Sequence, residues 1–185
     1  MSQMPKETYI PCLLNLFRQY GYDGATLSRI SEATGLGKAS LYHHFPNGKD
    51  EMVETVLNYL EGWLDQNILQ ILNSPGDALF RLQQMCDRLS QLYEGGKQPC
   101  LFAILLLGSA RDVFHEKVKV LFCAWVDAIA LVLIESGMEE KLARQRGEDA
   151  AIAIQGALIL SQALEDSSPF ERVIQHLPTT LCRAI

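Results

Sequence analysis

The sequence predicts an all-α protein, and three observations carry the prediction. Apolar residues recur at spacings of three and four almost throughout the chain, the repeat of a helix with one buried face. No stretch alternates apolar and polar residues between hairpin turns, so strands have no candidate. The strongest breaks, at Gly35, at Asn73-Ser-Pro-Gly76 and at Glu94-Gly-Gly-Lys97, divide the chain into helix-length segments. At 185 residues and 48% hydrophobic, the chain can bury a substantial core as one large or two small domains.

In the first helix Ile10, Leu13, Leu14, Phe17 and Tyr20 form an inner stripe that ends at Gly21. The second starts at Thr26, whose hydroxyl can cap the free backbone N–H groups, and buries Leu27, Ile30 and Ala33. Gly35, just past its end, suits the left-handed conformation that stops a helix, and Leu36 plugs the corner before a restart. In the third helix Leu41 and Phe45 lie four apart and share a face. Ala39, Ser40 and His43 then point roughly the opposite way, with Lys38, Tyr42 and His44 at the flanks. Residues 1–50 thus read as a three-helix head containing a helix-turn-helix.

From about Asn47, a candidate cap, a long helix follows, with Asp50 and Glu51 at its positive end and Val53, Val56, Leu57, Leu60, Trp63, Leu64, Ile68 and Ile71 inside. It joins the head to a body spanning 51–185 without a linker, which makes it a lever between the two. The next helix buries Leu79, Leu82, Met85, Cys86, Leu89 and Leu92. Segments 99–107, 118–134 and 150–164 are apolar nearly all round, so they need cover on more than one side. A second copy would supply it. Helices near 118–134, with Trp125, and near 150–164, rich in small residues from Ala150 to Ala157, would build a four-helix homodimer interface. The competing reading makes both of them monomer core.

The polar side of the third helix suits a DNA groove. A small residue at 39 lets the backbone approach bases, Ser40 can bond a base edge, and Lys38, Tyr42 and the histidines can reach phosphate oxygens. Spacing alone serves equally well an ordinary helical hairpin whose polar side faces water.

The run GLGKASLYHHFPNGKDEM, preceded by TLSRIS and an amphipathic helix, resembles the N-terminal domain of the tetracycline-repressor (TetR) family of bacterial one-component regulators over residues 7–60. The specific part is LYHHF followed by a lysine and acidic residues. The loop from Pro46 to Lys49 is similar to that of the subgroup including the lincomycin-resistance repressor, and QGALILSQALEDSSPFERVIQHL resembles that subgroup's C-terminal domain. The resemblance implies that Thr26 and Lys49 anchor the DNA backbone while Lys38, Ala39, Ser40 and Tyr42 enter the major groove. It also implies a phosphate contact from His43 or His44, of which His43 is the more open on the wheel. Gly37 departs from the serine or threonine that relatives often carry as a cap. Glycine is an acceptable cap that leaves the helix start looser.

Charge fits this reading narrowly. The chain holds 16 basic and 22 acidic residues, a net −6. Residues 1–50 hold five basic against four acidic side chains, an excess of +1, which leaves −7 elsewhere. A dimer doubles the phosphate contacts and adds backbone amides at helix starts, so sequence-selective, salt-sensitive binding to double-stranded operator DNA is expected. The apolar stretch reaching Ile134 is interrupted by Asp127 and falls short of the roughly 20 residues that span a bilayer. No basic, apolar leader is read at the start, and the expectation is a soluble cytoplasmic protein without a membrane partner.

Five scattered cysteines, at 12, 86, 100, 123 and 182, suit neither a disulfide framework nor a zinc site, and Cys100 beside Pro99 is the one redox candidate. Enzyme motifs are missing: Gly35-Leu-Gly-Lys-Ala-Ser40 lacks the longer spacing of a phosphate loop. Adjacent histidines such as His43 and His44 point about 100° apart on a helix and cannot easily share an ion. Catalysis, a metal and a cofactor are not expected.

The resembled family directs attention to a ligand in the body. Phe80, Met85, Leu89, Phe102, Leu106, Phe114, Phe122 and Trp125 are candidates for an apolar lining, with Gln155, Ser161 or Cys100 for a ligand's polar groups. Residues of this kind at helical spacing also serve as plain core. The expected function is a ligand-responsive homodimeric regulator, a repressor that leaves a palindromic operator when a small apolar or amphipathic effector occupies the body. The alternatives are a dimeric small-molecule-binding protein without operator binding and a cavity that catalyses a simple reaction on its ligand.

Overall fold

In the computed structural model, which describes residues 5–183, a 3-10 turn over Lys6–Tyr9 leads into α1 (Ile10–Gly24), α2 (Leu27–Thr34), α3 (Lys38–His44) and α4 (Lys49–Leu64). A π-turn over Asp65–Leu69 and the short α5 (Gln70–Leu72) extend α4. Then come α6 (Ala78–Leu92), α7 (Leu101–Leu105), α8 (Ala110–Glu135), α9 (Glu140–Leu164) and α10 (Ser168–Cys182), and the described residues contain no strand. The fold is all-α. Packing divides the chain into two compact units: one runs to Gly62 and takes in Leu101–Glu116, and the other holds Trp63–Cys100 and the residues from Lys117 onward.

In the first unit Ile10, Leu13, Leu14, Leu16 and Phe17 of α1 are buried. Tyr20, expected on the same stripe, is exposed. The backbone leaves helical geometry at Gly21, φ +64°, and the covered part of the stripe has already ended when the chain reaches that kink. In α2 only Ile30 is fully buried; Leu27 is half-buried and Ala33 is exposed, since these two lie about 60° to either side of Ile30 on the helix. Asn47 does not cap α4. It lies in a turn closed by the Gly48 N–H donating to the Phe45 carbonyl at 2.9 Å, with Gly48 at φ +68°, so the first helical residue is Lys49. The capping bond runs the other way, the Asn47 N–H donating to the Glu51 carboxylate at 2.9 Å.

The stretch from Leu101 to Glu116 was expected within the body, yet it packs with the first unit. Ile104 approaches Gly21, the Phe114 ring meets the Tyr22 ring edge-on at 6.0 Å, and the backbone N–H of Ser109 donates to Asp23 at 3.2 Å. The Ser109 hydroxyl donates to the other Asp23 oxygen. These contacts join residues far apart in sequence.

In the second unit the π-turn takes one residue more than an α-turn. Buried positions therefore run Leu64, Ile68, Leu72, whereas Ile71, expected inside, is half-buried and Trp63 likewise. Asp77 caps α6 by accepting from the Phe80 N–H at 3.0 Å, and Leu82, Met85, Cys86 and Leu89 are buried. Leu79 and Leu92 are only half-buried. Arg81, 5% exposed, donates to the carbonyls of Leu72 (2.8 Å) and Ser74 (3.1 Å) and pairs with Glu135 at 2.8 Å. One buried cation thus ties the end of α5 to the end of α8.

On α8 Val118, Leu121, Trp125, Val126, Ile129, Val132 and Leu133 are covered within this one chain. The cover expected from a second copy is thus largely internal, and only Val120, Leu131 and Ile134 remain as exposed large apolar residues in 118–134. On α9 Ile152, Ile159, Leu160 and Leu164 are exposed. Gly147 lets α9 close on α8, since a Cβ there would lie 2.7 Å from the Val126 carbonyl oxygen. Ser161, a candidate ligand group, instead accepts from the Phe170 N–H at 3.1 Å and joins α9 to α10.

Candidate nucleic-acid interface

The surface built by α2 and α3 starts from local bonds. Thr26 adopts the extended conformation of a cap, and its hydroxyl accepts from the Arg29 N–H at 3.4 Å. At the other end Gly35 takes φ +69°, which a side chain would oppose. Three further ties fix the turn. The Thr34 hydroxyl donates to the Ile30 carbonyl at 2.7 Å and accepts from the Leu36 N–H at 3.3 Å, and the Ser31 hydroxyl donates to the Leu36 carbonyl at 2.5 Å. Sequence reasoning missed Ser31 and Thr34. Hydroxyl residues flanking a glycine turn are a usable signal, because such side chains readily bond nearby backbone.

Gly37 begins α3 without a side-chain cap, and Leu41 and Phe45 are sealed in the core at 1% and 0% exposure. Lys38, Ala39, Ser40, Tyr42 and His43 are exposed, while His44 is half-buried with its ring against Tyr9, centroids 5.3 Å apart. Of the two histidines, His43 has the open position. Tyr42 stands beside the Gly48 turn, where an added Cβ would come within 3.7 Å of its ring. Seven residues of helix thus carry small and polar groups outward over two apolar anchors, a shape that can offer donors to phosphates and base edges.

Lys49 is half-buried. Its Nζ donates to the Tyr22 carbonyl at 2.8 Å and lies 4.1 Å from the centroid of the Tyr22 ring. The Tyr22 hydroxyl donates to Asp50. Burial, that bond and the charges of Asp50 and Asp23 push the phenol up to about 12. Lys6 pairs with Glu51; that bond and the one from the Asn47 N–H hold the Glu51 carboxyl below its ordinary range. Arg18 is buried, so among the five basic residues of 1–50 only Arg29 and Lys38 are exposed.

The candidate ligand residues fall into both units. In the second, Met85, Leu89, Cys100 and Trp125 are buried and Phe122 and Gln155 half-buried. Trp125 Nε1 donates to the Met85 sulfur at 3.4 Å, and the Phe122 ring lies 6.3 Å from that of Trp125. Gln155 Nε2 is buried and finds no hydrogen-bond acceptor among the described residues. Phe102 and Leu106 are half-buried within the first unit. Phe114 is core there, and Phe80 is 60% exposed.

All five cysteines are free, and burial together with Asp87 pushes Cys86 up to about 12, away from the reactive thiolate. Cys100 is buried as well. Among the described residues no cluster of His, Cys, Asp or Glu could hold a metal ion, and no helix is long and apolar enough to cross a membrane.

Comparison with known proteins bears on both units. Residues 13–56 match the family profile described as bacterial regulatory proteins, tetR family. Residues 79–176, more than half of the chain, match that of the transcriptional regulator LmrA/YxaF-like C-terminal domain. The HTH-type transcriptional regulator LmrA of Bacillus subtilis is 26% identical over 186 residues, covering 96% of this chain and 97% of the relative. The uncharacterized regulator YxaF of the same organism is 25% identical over 177 residues, covering 94% and 93%. The negative regulator of the biofilm operon icaADBC, IcaR of Staphylococcus epidermidis, is 38% identical over 65 residues, 34% of this chain and 35% of that one. A TetR transcriptional regulator from Legionella pneumophila shares the fold with a TM-score of 0.82 at 20% identity, covering 97% of this chain and 98% of that one. Together with the helix-turn-helix, these matches establish that the chain belongs to the TetR family of helix-turn-helix transcriptional regulators and carries an LmrA/YxaF-like C-terminal domain.

Proposed function

We propose that the chain acts in the cytoplasm as a homodimeric repressor that binds a palindromic operator and leaves it when a small apolar or amphipathic molecule occupies the body. The carrying observation is α3: Lys38, Ala39, Ser40, Tyr42 and His43 are open while Leu41 and Phe45 anchor the same helix in the core. Residues 1–50 read the DNA, with Thr26 and Lys49 on the phosphate backbone, and 51–185 bind the effector and the second copy. His44 has the lesser part, since its ring is engaged with Tyr9. Repression as the sign of regulation follows IcaR, whose name describes a negative regulator.

For the dimer, the supporting observation is a set of exposed apolar side chains on α8 and α9. The two helices are joined by Arg144, which donates to Asp127 at 2.5 Å. They expose Val120, Leu131, Ile152 and Ile159 together with Gly156, a contour that a two-fold copy can fill. For the effector, the support is the group Met85, Phe122 and Trp125 with the unmatched donor of Gln155. Leu89 and Cys100 extend that lining from the same unit, whereas Phe102 and Leu106 belong to the other unit and are left out of it. Release follows from linkage: an effector lowers operator affinity to the extent that it prefers the body conformation whose heads fit the half-sites poorly.

The test is the purified protein against DNA upstream of its own gene at low salt. The expected result is a sequence-preferring complex on half-sites about one helical turn apart or a multiple of it. A dimer that shows no preference for that DNA over a scrambled duplex would instead support a small-molecule-binding protein without operator binding, the reading that the near-neutral head favours.

A further inference from the structure

We infer that Arg29 is a DNA-phosphate clamp at the start of α2, a role that rests on the proposed DNA-reading function and adds a residue to it. The head's cations differ in what already holds them. Lys6 is paired with Glu51, Arg18 is buried, and Lys49 is half-buried with Nζ on the Tyr22 carbonyl. That leaves Lys38, at the start of the reading helix, and Arg29 as the exposed pair.

Arg29 is held at two points. Its Nη1 donates to the Gly24 carbonyl at 2.7 Å, and its guanidinium carbon lies 4.1 Å from the centroid of the Tyr20 ring. A guanidinium has five donors. Gly24 takes one, and no other hydrogen bond from this group is found among the described residues. The Arg29 backbone N–H is also the one that Thr26 caps, so the fixed cation belongs to the same corner as a proposed phosphate contact.

The tie between the end of α1 and the start of α2 uses one of the guanidinium donors and leaves the others exposed. A planar cation with open donors, held in one pose before the ligand arrives, matches the charge and paired oxygens of a phosphate and loses little freedom on binding. The same arrangement accounts for Tyr20, an aromatic residue left outside the core: it is the platform on which the guanidinium rests. It also eases the charge problem, because a head with an excess of only +1 must place its few available cations where phosphates come.

The experiment measures affinity of the full-length protein for two duplexes of equal length, one from upstream of its own gene and one of random sequence, across a range of KCl. Arg29→Gln keeps a donor for Gly24 and a flat amide for Tyr20 but removes the charge. It should make the slope of log affinity against log salt shallower by about 0.9 for each phosphate that is no longer neutralised, about 1.8 for a dimer on two half-sites. Affinity should fall by a similar factor on both duplexes, and Arg29→Lys should retain most of the slope. Tyr20→Leu should weaken binding with the slope unchanged, since the charge remains. A wild-type slope in Arg29→Gln, or a loss confined to the upstream duplex, overturns the inference alone. A wild-type protein that binds neither duplex overturns the proposed function and this inference together.

Discussion

The head unit and the body unit hold their shapes by different means. In the head α2 and α3 have eight and seven residues, well below the roughly 12–15 at which an isolated helix becomes even marginal. Their outer side is polar, as the proposed DNA reading requires, so it is not fixed by burial. Turns and polar ties do that work: Ser31 to Leu36, Lys49 to Tyr22, Ser109 to Asp23, Lys6 to Glu51. The body relies instead on volume. The 25-residue α9 and its neighbours enclose Leu82, Met85, Ile129, Ile154, Leu158 and Phe170, with Arg81 as the main polar intrusion. Geometry set by polar ties answers to pH and point changes at the surface, whereas geometry set by volume answers to the loss of a methyl group.

The largest expected effect tests whether volume governs the body. Phe170 is fully buried against Gly96 and edge-on to Tyr93, so Phe170→Ala should cost about 3–5 kcal/mol. Phe45→Ala should cost a comparable amount in the head, and calorimetry should show each variant lowering a different part of the unfolding transition. An identical shift of the whole transition by both would break the distinction.

Next is Gly108→Ala. Gly108 has φ +61°, and a Cβ there would come within 2.5 Å of Asp23 Oδ2, so the substitution both strains the backbone and dislodges the Ser109 bonds, about 1–3 kcal/mol for the strain. Denaturant midpoints should fall accordingly.

Tyr42→Ala should reduce operator affinity about tenfold or more, some 1.4 kcal/mol, while leaving melting and dimerisation as in wild type. Lys49→Ala should weaken binding and in addition lower stability, because it also removes the bond to the Tyr22 carbonyl. If both variants bind normally, α3 is not the reading helix.

The smallest effects are in pH. Tyr22 has its pKa raised from an ordinary 10.0 to about 12, so the protonated phenol is favoured by folding; its contribution is full below pH 10 and lost as pH rises through 12. Tyr22→Phe should flatten head stability across that interval. Asp23 and Glu51 are shifted the other way, by the Ser109 bonds and by Lys6 with the Asn47 N–H respectively. Their contributions are full above the ordinary carboxyl range near pH 4 and disappear as pH falls below it, which Asp23→Asn should blunt.

What could be read from sequence was local. The Thr26 cap, the left-handed Gly35 and the shared face of Leu41 and Phe45 each depend on residues three or four apart, and each is present. Tyr20 and Ala33 failed because a stripe says which residues share a face but not how far along the helix that face stays covered. Asn47 failed because Gly48 supplied a positive φ that moved the helix start. The placement of Leu101–Glu116 with the head depends on Asp23 meeting Ser109, 86 positions away, for which periodicity has no signal. At the candidate interface, the outward chemistry of α3 was legible, but the prior commitments of Lys6, Lys49 and His44 to their own neighbours were not.

The π-turn at Asp65–Leu69 has a consequence for chain length. The intervals from Leu60 to Leu64, Ile68 and Leu72 are four residues each, one wide turn included. Removing the exposed Gln66 would shorten the middle interval to three and yield an unbroken α-helix with the same four leucine and isoleucine side chains inward. A homologue one residue shorter at this point would therefore keep Leu64, Ile68 and Leu72 on the buried side of the helix.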